Sequence, residues 1–196
     1  CQILDAAPIS YLKWDMNRPL SDWYSKDLPA DRQGELQTRY ILGLYDILGR
    51  LTERYPDVLF EGCSSGGARF DLGMLAFHPQ IWTSDNTDAI NRLAIQYGTS
   101  FMYPISAMGT HVSVSPNHQN GRITPLKTRI NVAMSGTFGY ELDVSTLTSE
   151  EKKEAQLATK TYHTHQALIM TGDYYRIKED RKISAWQVVA KDKKES

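Results

Sequence analysis

Apolar and polar residues alternate with a period of two along Tyr11-Leu12-Lys13-Trp14-Asp15-Met16-Asn17. That period predicts a strand with Leu12, Trp14 and Met16 on one side and Lys13, Asp15 and Asn17 on the other. A lysine, a carboxylate and an amide on one face of a buried strand need partners or a ligand. An exposed edge strand carrying a surface ion pair is the competing explanation.

Further on, Leu36, Tyr40, Ile41, Leu44, Ile47, Leu48 and Leu51 recur at helical spacing, and Pro56 follows the end of that helix. Residues 57–63 read as a buried strand that runs into the glycine-rich turn Ser64-Ser65-Gly66-Gly67. A short apolar segment, Leu72 to Phe77, leads to Pro79 and a third strand over residues 80–86. Thr87 is the expected cap of the next helix, with Asp88 in its first turn and Ile90, Leu93, Ala94 and Tyr97 on its apolar face.

A fourth strand is expected over 108–114, a loop over 115–121 and a helix from Thr124-Pro125 to about Ser135. A fifth strand spans 138–144. Thr148 with Glu151 is a capping box for a long helix of residues 149–170, which Gly172 closes. The remainder, with residues 173–177 and 186–189, has strand character only.

The order is five strand-then-helix units of roughly 35 residues each, which predicts an α/β fold with a parallel sheet. An open doubly wound sheet would gather polar chemistry at one switch point. Here Asp15, Cys63, Asp85 and the His111 to His118 region lie at or beyond the ends of four successive strands. A (β/α)8 barrel brings all strand ends to one mouth, so an incomplete barrel, comprising about its last five units, is the favoured architecture. Residues 1–172 would be the partial catalytic barrel and 173–196 the beginning of a C-terminal all-β domain.

Composition adds limits. A net charge of −1 over 196 residues leaves no nucleic-acid or membrane-surface footprint. No apolar run approaches the roughly 20 residues of a membrane span. Two cysteines, Cys1 and Cys63, match neither a disulfide framework nor a zinc motif, which suits a reducing, cytoplasmic home. His163 and His165, two apart on a helix, are a poor metal pair. The Gly66-Gly67 loop lacks the lysine and spacing of a phosphate-binding loop. Beginning on cysteine almost directly before a strand suggests a fragment.

Asp15 and Asp85 form the candidate catalytic pair. Ile81, Thr83 and Asp85 would share one strand face, with Asp85 at its end. Retaining glycosidases use one carboxylate as nucleophile and another as general acid, roughly 5–5.5 Å apart. Lys13 would help keep Asp15 ionised, and Asp85 would need the opposite tuning. Glu61 shares Cys63's face, as an alternative acid or as Lys13's ion-pair partner. Arg69 with Asp71 reads as a salt bridge that shapes the loop. Trp14 is a candidate sugar platform, although strand parity turns it toward the helices.

Four groups of residues sharpen the assignment: Lys13-Trp14-Asp15-Met16-Asn17-Arg18; Cys63-Ser64-Ser65-Gly66-Gly67 with Arg69 and Asp71; Trp82-Thr83-Ser84-Asp85-Asn86-Thr87-Asp88; and His111-Val112-Ser113 with Pro116-Asn117-His118-Gln119. Together they closely resemble bacterial α-galactosidases of glycoside hydrolase family 36. The resemblance implies that Asp15 is the nucleophile and Asp85 the acid/base. It implies that Lys13, Asn17, Cys63 and Gly66 contact galactose, with Trp14 a further substrate-binding candidate. It also implies an amino-terminal β-sandwich and three earlier barrel units, with further sugar-holding residues, that are not in these residues, and a parent enzyme that is a homo-oligomer, often a tetramer. The expected substrates are raffinose, melibiose and related α-galactosides; no metal or organic cofactor enters the scheme. Two alternatives stay open: a non-catalytic fragment or sugar-binding remnant, aggregation-prone and nearly inactive alone, and a relative that acts on α-N-acetylgalactosaminides or transfers galactose.

Overall fold

The computed structural model describes residues 1–17, 20–180 and 183–196. Arg18 of the first motif and the loop residue Pro19 lie outside the described residues. The chain divides into two compact units, Cys1–Pro79 and Gln80–Ser196.

The first unit runs α1 (Gln2–Ala6), β1 (Tyr11–Asp15), a 3-10 turn (Ala30–Glu35), α2 (Leu36–Arg54), β2 (Leu59–Cys63) and α3 (Leu72–Leu75). The α2 crossover makes β1 and β2 parallel. Their register sets Lys13 opposite Glu61 and Asp15 opposite Cys63. Behind that pair, Leu12, Trp14 and Phe60 face Ile47 and Leu51 of α2 across a groove of about 680 Å³. Asp71 does not pair with Arg69 as expected. Its side chain instead accepts the Met74 N–H at 2.9 Å and caps α3, because the unsatisfied donors of a helix start are a closer and better-aligned partner.

His78 packs behind β2 at 1% exposure, its ring stacked 6.4 Å from that of Phe60. Only glycine fits opposite it, since a Cβ on Gly62 would come within 2.8 Å of His78 Nδ1.

The second unit contains β3 (Gln80–Trp82), α4 (Ala89–Thr99), β4 (Met108–Ser113), α5 (Leu126–Ala133), β5 (Thr137–Glu141), α6 (Ser149–Thr171), β6 (Asp173–Glu179) and β7 (Ser184–Val189). β3, β4 and β5 pair in parallel, and β6 with β7 antiparallel. The core sits between β4, α5 and α6, where Val112, Leu126, Ile130, Ala133 and Ala158 meet Phe138 and Tyr140. The Thr148–Glu151 capping box forms as expected. Tyr140 donates to the Ala155 carbonyl at 2.8 Å and Tyr162 to the Gly136 carbonyl at 3.0 Å, which ties α6 to β5 and its approach.

Two local expectations change. Asp88, not Thr87, caps α4 by accepting the Asn91 N–H at 2.9 Å. A carboxylate is as good a cap as a hydroxyl and also suits the helix dipole. The third strand stops at Trp82, so strand parity does not carry through Thr83 to Asp85. Side chains of the loop take over the backbone hydrogen bonds there: Ser84 Oγ accepts Asn86 N–H and Asn86 Oδ1 accepts Asp88 N–H, both at 3.1 Å. Such local bonds compete with a ladder.

Burial, with the nearby Arg69 charge adding to it, lowers the His78 pKa from 6.5 to about 4. The folded state therefore holds His78 neutral where the unfolded chain protonates it. This contribution to stability is complete above pH 6.5 and is lost as the pH falls toward 4. In denaturant titrations, His78→Phe should flatten the fall in stability over that window. A second position tests the close approach at β4. A Cβ on Gly136 would sit 2.5 Å from Thr110 Cγ2 and 2.7 Å from the Met108 carbonyl oxygen, and Thr110 is held by donating to the Ala133 carbonyl at 2.7 Å. Gly136→Ala should cost about 1–3 kcal/mol, measured by urea unfolding.

Candidate active site

Within the first unit, the polar face of β1 and β2 ends in a sewn seam. Met16 N–H donates to the Cys63 carbonyl at 3.1 Å, and Ser64 Oγ donates back to the Met16 carbonyl at 2.6 Å. Arg69 donates to the Cys63 carbonyl at 2.8 Å and more distantly to that of Met16. The arginine thus ties the two strand ends together rather than shaping the loop through Asp71.

Asp15 is exposed at the end of β1. Asn17 Nδ2 donates to Asp15 Oδ2 at 3.0 Å, and Asn17 Oδ1 accepts the Ser65 N–H at 2.6 Å. One amide therefore fixes a carboxylate with its donor end while its acceptor end is anchored on the glycine-rich turn. The turn offers that N–H because Ser65 (φ 47°) and Gly66 (φ 82°) are both left-handed. Gly66 pays little for this conformation and Ser65 is the strained member.

Lys13 Nζ lies 3.6 Å from Glu61 Oε1, and the Glu61 side chain is 2% exposed. The ion pair expected for Glu61 is present. Burial raises the Cys63 thiol pKa; the Gly66 N–H aimed at sulfur opposes this, and a hydrogen bond to Asp15 adds to it. Kept protonated, the thiol is a donor beside the Asp15 carboxylate. Lys13, Asp15, Asn17, Cys63 and Gly66 thus gather at one strand-end seam. Trp14 does not join them. It lies on the α2 side with Leu12, Ile47 and Leu51, because alternation along β1 points it away from Asp15.

In the second unit, Asp85 is exposed on the loop beyond β3. Behind the loop, Arg92 of α4 is 3% exposed; its guanidinium donates to Thr83 Oγ1 and lies 4.0 Å over the Trp82 ring. Trp82 also stacks on His111 at 4.5 Å, and His111 Nδ1 is 3.7 Å from Glu141 Oε2. Burial lowers the Arg92 pKa to about 10, against the pull of the Glu141 and Asp85 carboxylates. At that value the side chain is a permanent cation near neutral pH.

The loop after β4 clasps the other side. Gln119 Nε2 donates to the Asp85 carbonyl at 2.8 Å, and Gln119 Oε1 accepts the Thr87 N–H at 3.0 Å. Burial by itself would raise the Asp88 pKa, but bonds from the Asn91 N–H and Asn120 and the Arg122 charge hold it below the usual carboxylate range. Arg92, Glu141 and the clasp residues Asn117 and Gln119 were given no role in the sequence. Gln119 and Asn117 stand inside a motif quoted for its resemblance alone, and the stack of Arg92 on Trp82 joins residues that no periodicity links. Among the described residues, no group of three or more His, Cys, Asp or Glu side chains could hold a metal ion, and no helix is long and apolar enough to cross a membrane.

Comparison with known proteins places these features in context. The profile of the Melibiase family matches residues 1–172. The chain is 55% identical over 196 residues to alpha-galactosidase Mel36A of Lactobacillus acidophilus, and covers 100% of this chain and 27% of that protein. It is 52% identical to alpha-galactosidase AgaA of Geobacillus stearothermophilus, across 99% of this chain and 27% of AgaA. The crystal structure of AgaA, a GH36 enzyme, matches at a TM-score of 0.94 over 97% of this chain and 27% of that one. Variants of AgaA have been solved in complex with raffinose and with stachyose at the same TM-score. The chain thus spans about a quarter of the length of these relatives. This likeness gives the fold class as an incomplete (β/α)8 barrel with a small antiparallel sheet after it, and sets aside the open doubly wound sheet. With a family profile over residues 1–172 and relatives above 50% identity along its length, the chain belongs to the melibiase family.

Proposed function

We propose that the chain is part of a retaining α-galactosidase that releases terminal galactose from raffinose, melibiose and related α-galactosides. The observation that carries this reading is the held carboxylate at the end of β1: Asp15, fixed by Asn17, in a chain whose relatives are named alpha-galactosidases. Raffinose and stachyose in the AgaA complexes support the substrate class. Residues 1–172 would supply the barrel portion and 173–196 open the β domain that follows. The whole enzyme would work in the cytoplasm as a homo-oligomer, a tetramer in the first instance. No cofactor is part of the scheme.

In this mechanism the Asp15 carboxylate attacks the anomeric carbon while the bond to the aglycone oxygen breaks and Asp85 delivers its proton to that oxygen. Water then attacks the same carbon from the opposite side to Asp15, giving its proton to Asp85 and freeing the Asp15 carboxylate. Two inversions leave the anomeric configuration unchanged. Lys13, Cys63 and Gly66 would meet the sugar hydroxyls at the seam. Asn17 would hold the nucleophile by one amide hydrogen bond, leaving the other Asp15 oxygen to attack. Trp14 contributes by packing the strand from behind.

In the whole enzyme, Asp15→Asn and Asp85→Ala should each nearly abolish hydrolysis of melibiose. Azide should restore turnover of an activated aryl α-galactoside in Asp85→Ala only, and give α-galactosyl azide. Normal activity in either variant, or binding of raffinose with no turnover by the unmodified enzyme, would end the catalytic assignment; the second result would identify a sugar-binding remnant. Asn17→Ala frees both the carboxylate and the Ser65 N–H, and misplacement on the order of 1 Å lowers rates by about 100-fold. Steady-state kinetics should show that loss in kcat.

A further inference from the structure

Asp85 stands on a loop that has left the sheet, so its backbone must be satisfied by something other than a neighbouring strand. Its carbonyl and the Thr87 N–H both bond to the one side-chain amide of Gln119, at 2.8 and 3.0 Å. The amide thus occupies the place a paired strand would take, and spans the two backbone groups on either side of Asn86. Of the neutral side chains of this length, only a glutamine offers a donor and an acceptor together in one plane.

Gln119 is in turn held in place. Its own N–H donates to Asn117 Oδ1 at 3.0 Å, and Asn117 Nδ2 donates to Thr87 Oγ1 at 3.0 Å. Asn117 is 4% exposed and Thr87 5%. Gly121 N–H donates to the Asn117 carbonyl at 2.8 Å and Asn117 N–H to the Arg122 carbonyl at 2.9 Å, which closes the loop on itself. Arg122 and Asn120 then reach Asp88 at 3.3 and 3.0 Å. Every side chain from 117 to 122 that makes these bonds reaches either Thr87, Asp88 or the Asp85 backbone.

We propose that Gln119, stationed by Asn117, is a positioning residue for the Asp85 carboxyl: it sets the direction from which the proton reaches the leaving oxygen. This rests on Asp85 being the acid/base. A group that only aims the acid matters when the leaving oxygen needs a proton and is nearly irrelevant when it does not. A residue that merely keeps the loop folded would affect both cases alike.

The test compares kcat/KM, which reports the first chemical step, for melibiose and for 2,4-dinitrophenyl α-galactoside in the whole enzyme. Gln119→Leu should lose about 100-fold on melibiose, in the range of general acid catalysis, and no more than about threefold on the dinitrophenyl substrate. Asp85→Ala should show the same pattern with a larger ratio. Gln119→Glu keeps the shape and the acceptor for Thr87 but places a carboxylate beside Asp85, so the basic limb of its kcat/KM profile on melibiose should move to higher pH. If Asp85→Ala loses equally on both substrates, the acid/base assignment fails. If Asp85→Ala shows the pattern but Gln119→Leu loses equally on both or loses nothing, Gln119 is a structural residue and the proposal is overturned. Should Gln119→Leu fail to fold, an unmoved basic limb in Gln119→Glu overturns it.

Discussion

The parallel register of β1 against β2 is the constraint on which the first unit's chemistry depends. It sets Lys13 beside Glu61 and Asp15 beside Cys63 in a single stroke. A slip of one residue would send the pair on the slipped strand, either Lys13 and Asp15 or Glu61 and Cys63, to the helix side. The buried Glu61 would then be left without its cation, at a penalty of several kcal/mol. Leu12, Trp14 and Phe60 resist that slip, since their place is the apolar face toward α2. Charge on one side and bulk on the other thus enforce the same alignment.

The second unit solves the same problem differently. β3 has three residues and cannot direct a side chain that lies beyond its end. The loop beyond it is held by converging pieces: the Arg92 guanidinium pins Thr83 and covers Trp82, and the loop after β4 grips the backbone of Asp85 and Thr87. A strand end gives direction through the ladder, whereas a loop needs side chains to provide it. That difference explains why the first site needed one bridging amide and the second a network.

The sequence was most informative where one period dominated. Alternation along residues 11–17 predicted the polar face of β1, and Thr148 with Glu151 marked the start of α6, because both signals depend on local geometry alone. It misled where several short-range options compete. Residues 83–86 continue the strand by position, yet the side chains of Ser84 and Asn86 bond the backbone two residues on, and the strand ends. Arg69 and Asp71 looked like a pair by charge and spacing, but the nearer helix start and strand-end carbonyls won. Gln119 was hidden for a different reason: its role arises from a contact with Asp85 and Thr87 more than thirty residues away, and no periodicity carries that information.

The brevity of β3 has a consequence for how such a centre changes over time. Because the Asp85 loop is fastened by the side chains of a neighbouring loop and not by sheet hydrogen bonds, its aim is separable from the integrity of the sheet. Substitutions among a few clasp residues can shift the Asp85 backbone by fractions of an ångström while β3 stays paired to β4. Selection for a different placement of Asp85 has a small and local set of residues on which to act.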